Sequence, residues 1–363
     1  MHAKRLASLR EMLQEHKYEA LFITKDTNRR YLSGFQGSTG TLLVTQDVAF
    51  VLTDFRYRLQ LEKEAPLFTL REVSNEVPVL KMLANLVTEL DLRQIAFEAD
   101  HLTVNQHQKL GEIFSEKGLD PACLKPTEGL VEKLRAVKDA TEIAKLRRAI
   151  AITDAAIEAV TRDLNPNYTE RQVAWMLEVA MRERGAERLS FPIIVGAGPH
   201  SAMPHARPSE EPLGEGRPII IDMGGVFEGY HADLTRTIVI GEPDARFWQI
   251  YGLVLAAQQK AIAGIRPGMQ GQAADALARD YLKAHGFEEE FGHGLGHNVG
   301  LEIHEGPSLA RKKEDVLQVG NVFSVEPGLY FTDWGGVRIE DLVLLQAQGC
   351  EVLSQTAKLK PPQ

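Results

Sequence analysis

Pro218-Ile-Ile-Ile-Asp222-Met-Gly-Gly225, followed by His231-Ala-Asp233-Leu-Thr-Arg-Thr237, decides how this chain must fold. The apolar run reads as a buried strand, Met223-Gly-Gly225 opens the turn region, and the second segment returns. An acid at the end of such a run is costly to bury unless a cation balances it. A second stretch repeats the design. Asn321-Val-Phe-Ser-Val-Glu326 goes out, and Gly335-Gly-Val-Arg-Ile-Glu340-Asp-Leu-Val-Leu344 returns. The acids within each pair stand 11 and 14 residues apart (233 − 222 and 340 − 326), enough for strand, turn and strand.

Taken alone, any one of these acids reads as a solvated strand end. Together they lie in a chain that also carries Gly292-His293-Gly-Leu-Gly-His297-Asn-Val-Gly-Leu-Glu-Ile-His304-Glu-Gly-Pro307. The glycines argue against a helix, and an extended strand would put His293, Leu295 and His297 on one face. For a single histidine the bland alternative is a glycine-rich loop. Three histidines beside four acids point to metal chemistry instead. Two divalent cations would match the charge of four carboxylates. An oxygen-rich set with one imidazole suits Mn²⁺, Co²⁺ or Zn²⁺.

Working outward, Thr169-Glu-Arg-Gln172 is a capping-box pattern, with Val173, Met176, Leu177 and Ala180 following at helical spacing. Pro166 and Gly185 recur as Pro267 and Gly286, each 101 residues on (267 − 166 and 286 − 185). Two unrelated amphipathic helices would give as many identities. If the repeat is real, the second domain consists of two related halves that bring equivalent hairpins to a shared centre. The first third mixes a helical stripe (Leu6, Leu9, Met12, Leu13) with strand-like runs at 20–23, 42–44, 48–52 and 95–97. Helical patterns lie near 77–87 and 104–114. These features predict a small α/β domain over residues 1–124. Lys125-Pro-Thr-Glu-Gly129 reads as a linker into a second domain over 125–363.

The chain has 363 residues, 44% apolar and 25% charged, which fits two globular domains. A net charge of −9 with no basic run argues against a nucleic-acid or anionic-membrane surface. Cys123 and Cys350 cannot form a disulfide framework or a thiolate metal site. No apolar run could span a bilayer, and the N-terminal pattern is amphipathic, so a cytoplasmic enzyme is expected.

These motifs resemble the Xaa-Pro peptidases, the group of aminopeptidase P and prolidase. The resemblance rests on the two acid hairpins, Gly292–His297, Gly300-Leu-Glu-Ile-His304-Glu, Ser324-Val-Glu326-Pro-Gly328 and Val337-Arg-Ile-Glu340-Asp341. It extends to Arg30-Tyr-Leu-Ser-Gly-Phe35 and Thr53-Asp-Phe-Arg-Tyr57, similar to a creatinase-type N-terminal domain. The resemblance implies an α/β protein whose C-terminal domain has the pita-bread fold with pseudo-twofold halves. It also implies two divalent metals, with Mn²⁺ favoured over Co²⁺ or Zn²⁺. Asp222, Asp233, His297, Glu326 and Glu340 would be the ligands, Asp233 and Glu340 bridging. A metal-activated hydroxide would then attack the Xaa-Pro bond, with Glu326 as general base. By the same resemblance His205 and His304 hold the substrate or its oxyanion, and His293 lines the proline pocket. Arg338, two residues before Glu340, would orient ligand carboxylates. Tyr330 and Trp334 read as packing residues. Proline-containing peptides are the expected substrates and a homodimer the expected assembly.

Ser308 stands where prolidases of this resemblance carry an arginine for the dipeptide carboxylate, with Arg311, Lys312 and Lys313 beyond it. That favours an aminopeptidase over a dipeptidase. A methionine aminopeptidase would not need the N-terminal domain, creatinase works without these metals, and a catalytically inactive binding module would not need all the ligands.

Overall fold

The computed structural model describes residues 1–360, which divide into two compact units, Met1–Arg135 and Ala136 onward. The first is built on a six-stranded mixed sheet. Its order is 69–72, 49–53, 41–45, 20–23, 95–98 and 124–127. Phe22, Leu43, Leu83, Phe97 and Phe114 form the core between the sheet and the helices Val79–Glu89 and Val104–Glu116. The expected linker is a correction. Residues 124–127 form the edge strand, paired in parallel with Ile95–Glu98, and the units divide eleven residues after 124 (135 − 124). Pro126 hid the strand, because proline is tolerated only where its missing N–H faces no partner, as at an edge. The edge strand Thr69–Glu72 and the polar helix Asp26–Ser33 also lacked an apolar signature.

In the second unit the internal repeat is real. Helices Ala140–Thr161 and Glu170–Glu183 make one pair, and Ala245–Gly264 and Gly271–Ala284 the other. Thr169 and Gln172 form the capping box read from sequence. The N–H groups of Glu170 and Arg171 donate to the carbonyls of Glu211 and Ser209. Those of Gly271 and Gln272, again 101 residues on (271 − 170), donate to Asp315 and Lys313. Gly185 and Gly286 end the two second helices at φ +102° and +88°, a left-handed conformation that favours glycine.

Each half has its own core. One centres on Ile157, Leu177, Val195 and Ile221, the other on Tyr251, Leu282, Phe323 and Val343. Each half also contributes an acid hairpin. Ile219–Met223 pairs antiparallel with Leu234–Ile238, and Val322–Val325 with Asp341–Gln346. The expected second return strand, 335–344, is split. Gly335–Arg338 turns back on Gly328–Phe331, and only Asp341 onward rejoins Val322–Val325. The break falls at Ile339-Glu340 because the backbone there crosses to the other half. Glu340 N–H donates to Thr235 O, while Arg338 N–H and O bond the Thr237 hydroxyl. The histidine stretch is extended at Gly296–Asn298, with a register shift at His297, and again from Glu305, where strand Glu305–Leu309 pairs with it, so His293 and His304 sit in loops. No helix among the described residues is long and apolar enough to cross a membrane.

Two glycines let the hairpin backbones close. A Cβ on Gly224 would lie 2.0 Å from Ala232 O, and one on Gly296 only 1.9 Å from Ser324 O. Both contacts are backbone, so neither can be relieved by a rotamer change. Gly224→Ala and Gly296→Ala are expected to destabilise the fold by at least the roughly 1–3 kcal/mol typical of overpacking. Denaturant unfolding checks this, and wild-type stability in either variant would contradict the close approach.

Candidate metal centre

Strand ends deliver the acids. Asp222 is the penultimate residue of Ile219–Met223, Asp233 precedes Leu234–Ile238, Glu326 follows Val322–Val325 and Glu340 precedes Asp341–Gln346. The pseudo-twofold arrangement turns these ends towards one another. Ligating oxygens of Asp222, Asp233 and Glu340 lie within 4.8 Å of one another. His297 Nε2 lies 3.6 Å from Asp233 Oδ2 and 3.5 Å from Glu326 Oε1, which brings those two side chains to the cluster.

Most of the surrounding polar atoms are accounted for. Arg338 Nη2 donates to Asp222 Oδ2 at 2.6 Å, its Nη1 to the Tyr330 hydroxyl, and its Nε to Thr235 Oγ1. Thr235 Oγ1 in turn donates to Glu340 Oε2, and Ser324 Oγ to Glu326 Oε1. Of the carboxylate oxygens left over, two are fully buried. Asp222 Oδ1 and Glu340 Oε1 are buried without a hydrogen-bond partner. Such orphaned acceptors are rare and need an explanation. A bound cation supplies one, so the donor set fits divalent metal.

Electrostatics point the same way. Burial, then Glu340, Asp222 and Glu326, raise the Asp233 carboxyl well above its ordinary range. Burial, then Glu326 and Asp222, do the same to Glu340, and burial raises Glu326. Without a cation these groups resist ionising together. His297 is pushed down by burial and is therefore neutral, the form that binds metal.

The cluster opens into a cavity of ≈ 930 Å³. Phe191, Pro192, Ile193 and Ile303 give it apolar walls. His205, His293 and His304 all line it. The His304 ring packs edge-on against His297 with centroids 4.4 Å apart, and burial and His297 lower its pKa. His205 is exposed on the loop after the short helical turn Gly198–Ala202. His293 bonds Tyr330 OH at 2.9 Å and packs edge-on against Phe291. Tyr330, read from sequence as packing rather than catalytic, also links Arg338 to His293. Thr235 and Ser324 are the other residues missed from sequence. A signal for both existed, since each lies two residues from an acid and so shares its side of an extended chain (Thr235 with Asp233, Ser324 with Glu326).

Residues 144–347 match metallopeptidase family M24, and residues 5–137 the creatinase/prolidase N-terminal domain. The chain belongs to metallopeptidase family M24, among its Xaa-Pro peptidases. The peptidase is 35% identical to the uncharacterised peptidase YqhT of Bacillus subtilis over 98% of each chain. It superposes on the Xaa-Pro dipeptidase from Bacillus anthracis with a TM-score of 0.94 at 38% identity, covering 99% of both chains. Against the X-Pro aminopeptidase from Thermotoga maritima the TM-score is 0.87 at 33% identity, covering 94% of this chain and 97% of that one.

The raised carboxyls have a measurable consequence in metal-free peptidase. The fold there binds more protons than the unfolded chain, so these acids destabilise it as pH rises through their raised values. Metal-free Glu340→Gln is expected to melt above metal-free wild type at about pH 7.5, the gap shrinking towards about pH 5 as the wild-type acids protonate. Thermal melts across that range check it. A variant that melts below wild type at the upper end would contradict the clustering of like charge.

Proposed function

We propose that this peptidase hydrolyses the Xaa-Pro bond at the N-terminus of peptides, using two divalent cations held by Asp222, Asp233, His297, Glu326 and Glu340. The observation that carries the proposal is the buried acid cluster with its two orphaned oxygens at the floor of an apolar-walled cavity. Asp222, Asp233, Glu340, Glu326 and His297 would together hold the metal. The oxygen-rich set with one imidazole suits Mn²⁺, Co²⁺ or Zn²⁺, and the family resemblance favours Mn²⁺. When bound, such a pair supplies a nucleophilic water at neutral pH and polarises the scissile carbonyl.

The chain's own residues do the rest. Glu326 takes a proton from the attacking water and passes it to the departing proline nitrogen. Ser324 Oγ, bonded to its other side, fixes the direction in which the carboxylate points. His205 and His304 donate to the developing oxyanion or hold the substrate backbone. His293, anchored by Tyr330, faces the proline ring from its loop. Arg338 orients Asp222. The proposal extends to a homodimer, on the family resemblance, and to the cytoplasm, on the amphipathic N-terminal pattern.

We assign the aminopeptidase type, because Ser308 lines the cavity where a fixed arginine would clamp a dipeptide carboxylate, and the cavity far exceeds a dipeptide. One observation favours the dipeptidase reading. Arg207 and Lys313 line the same cavity, and among the described residues neither side chain has an ion-pair or hydrogen-bond partner. Either could meet a carboxylate. The name of the Bacillus anthracis relative agrees with that reading.

Chelation is expected to abolish hydrolysis and Mn²⁺ to restore it. Full activity in protein free of metal by elemental analysis would remove the metal mechanism. Glu326→Gln is expected to lower kcat by about 10²–10⁴-fold, the usual contribution of a general acid-base group. Near-normal kcat with both metals bound would end its assignment. Xaa-Pro-Yaa tripeptides should give higher kcat/KM than matching Xaa-Pro dipeptides at equal metal loading. A clear dipeptide preference, lost in Lys313→Met or Arg207→Met, would instead establish the dipeptidase reading.

A further inference from the structure

His304 raises a positioning problem. Among the described residues its ring makes no hydrogen bond; it is held only by packing on His297 and by its own loop. Placement of that loop therefore decides where the imidazole stands in the cavity.

The loop is fastened from behind. Gly300 O accepts from His231 N–H at 2.9 Å, and Gly306 O from Asn298 Nδ2 at 2.9 Å. Between these two points lies Glu305, the residue next to His304. Its side chain is 5% exposed and pairs through Oε2 with Lys138 Nζ at 3.1 Å, whose side chain is 1% exposed. The other carboxylate oxygen, Oε1, accepts Glu302 N–H at 3.1 Å and closes the loop on itself. Lys138 is fixed in turn. Its N–H donates to Gly320 O, and it directly precedes Asp139, which caps helix Ala140–Thr161 with a reciprocal bond from Glu142. The carbonyl of Ala136, two residues earlier, takes Asn298 Nδ2 and Asn321 Nδ2. The segment 136–138 thus grips the strand that carries His297 as well as the loop that carries His304.

A buried ion pair is poor value as a pure stabiliser. Well-packed apolar residues in its place are often as stable, because desolvation offsets the attraction. Directionality is what such a pair supplies and apolar packing does not: the ammonium fixes one oxygen, and the Glu302 N–H the other. We propose that Lys138 is a positioning residue for His304, acting through Glu305 at the start of strand Glu305–Leu309 to hold the 300–304 loop where the imidazole meets substrate. The proposal rests on the substrate-side role assigned to His304 above.

The test is a double-mutant cycle on kcat at verified metal content. Lys138→Met and Glu305→Asp are each made alone and in a His304→Ala background, the second because it keeps the charges, shortens the reach and folds even if the first does not. Misplacement of a catalytic group by about 1 Å can cost on the order of 100-fold. The expected result is a loss of about 10–100-fold in kcat for either variant with metal retained, and no further loss when His304 is already alanine. Lys138→Arg should restore part of the rate. Equal losses in both backgrounds, or wild-type kcat in Glu305→Asp, would overturn the positioning role while leaving His304 in place. Wild-type kcat in His304→Ala alone would instead overturn the role of His304 itself, so the two failures are distinguishable.

Discussion

Four carboxylates meet in the second domain at the floor of a cavity, and among the described residues Arg338 is the cation that pairs with one of them, Asp222. Like charges so placed repel, and burial makes each of them harder to ionise. The surrounding architecture holds them together regardless. Each acid stands at the end or edge of a strand, so its backbone cannot retreat without breaking a ladder. Thr235, Ser324 and Arg338 each take a carboxylate oxygen and leave others free. The free oxygens of Asp222 and Glu340 are fully buried, and protein alone does not satisfy them.

The scaffold reaches this arrangement by duplication. Two helix pairs and two hairpins, each half with its own apolar core, provide two rigid supports facing a common centre. Backbone bonds at the start of the second helix repeat between the halves, but the chemistry does not. Where Ile194–Ala197 flanks the first hairpin with Ile-Val-Gly-Ala, Gly296–Asn298 flanks the second with Gly-His-Asn. Symmetry supplies the acids from both sides, and its breaking supplies the imidazole. The crossing at Glu340, where the second hairpin bonds to Thr235 of the first, locks the halves together at the acids themselves.

Much of this was legible in the chain. An acid closing an apolar strand is a local conflict, and its repetition in two hairpins announced a shared acid cluster before any contact was known. The capping box at Thr169 and the glycines at 185 and 286 are local signals too, because caps and left-handed turns depend on a few adjacent residues. Local signals also misled. Pro126 and the polar run around it read as a linker because a lone edge strand has no apolar alternation to display, and 335–344 read as one strand because nothing nearby marks its change of partner.

Residue type and spacing by themselves therefore determined the acids, the histidines and the two-domain outline, since burial cost and periodicity act within a few residues. Only the tertiary structure decided which groups touch. Tyr330 passed for a packing residue until its hydroxyl was seen between Arg338 and His293. Lys138 and Glu305, 167 residues apart, show no sequence relation to each other. Long-range pairs of this kind follow from how sheets and helices cross, and a one-dimensional pattern carries no record of that geometry.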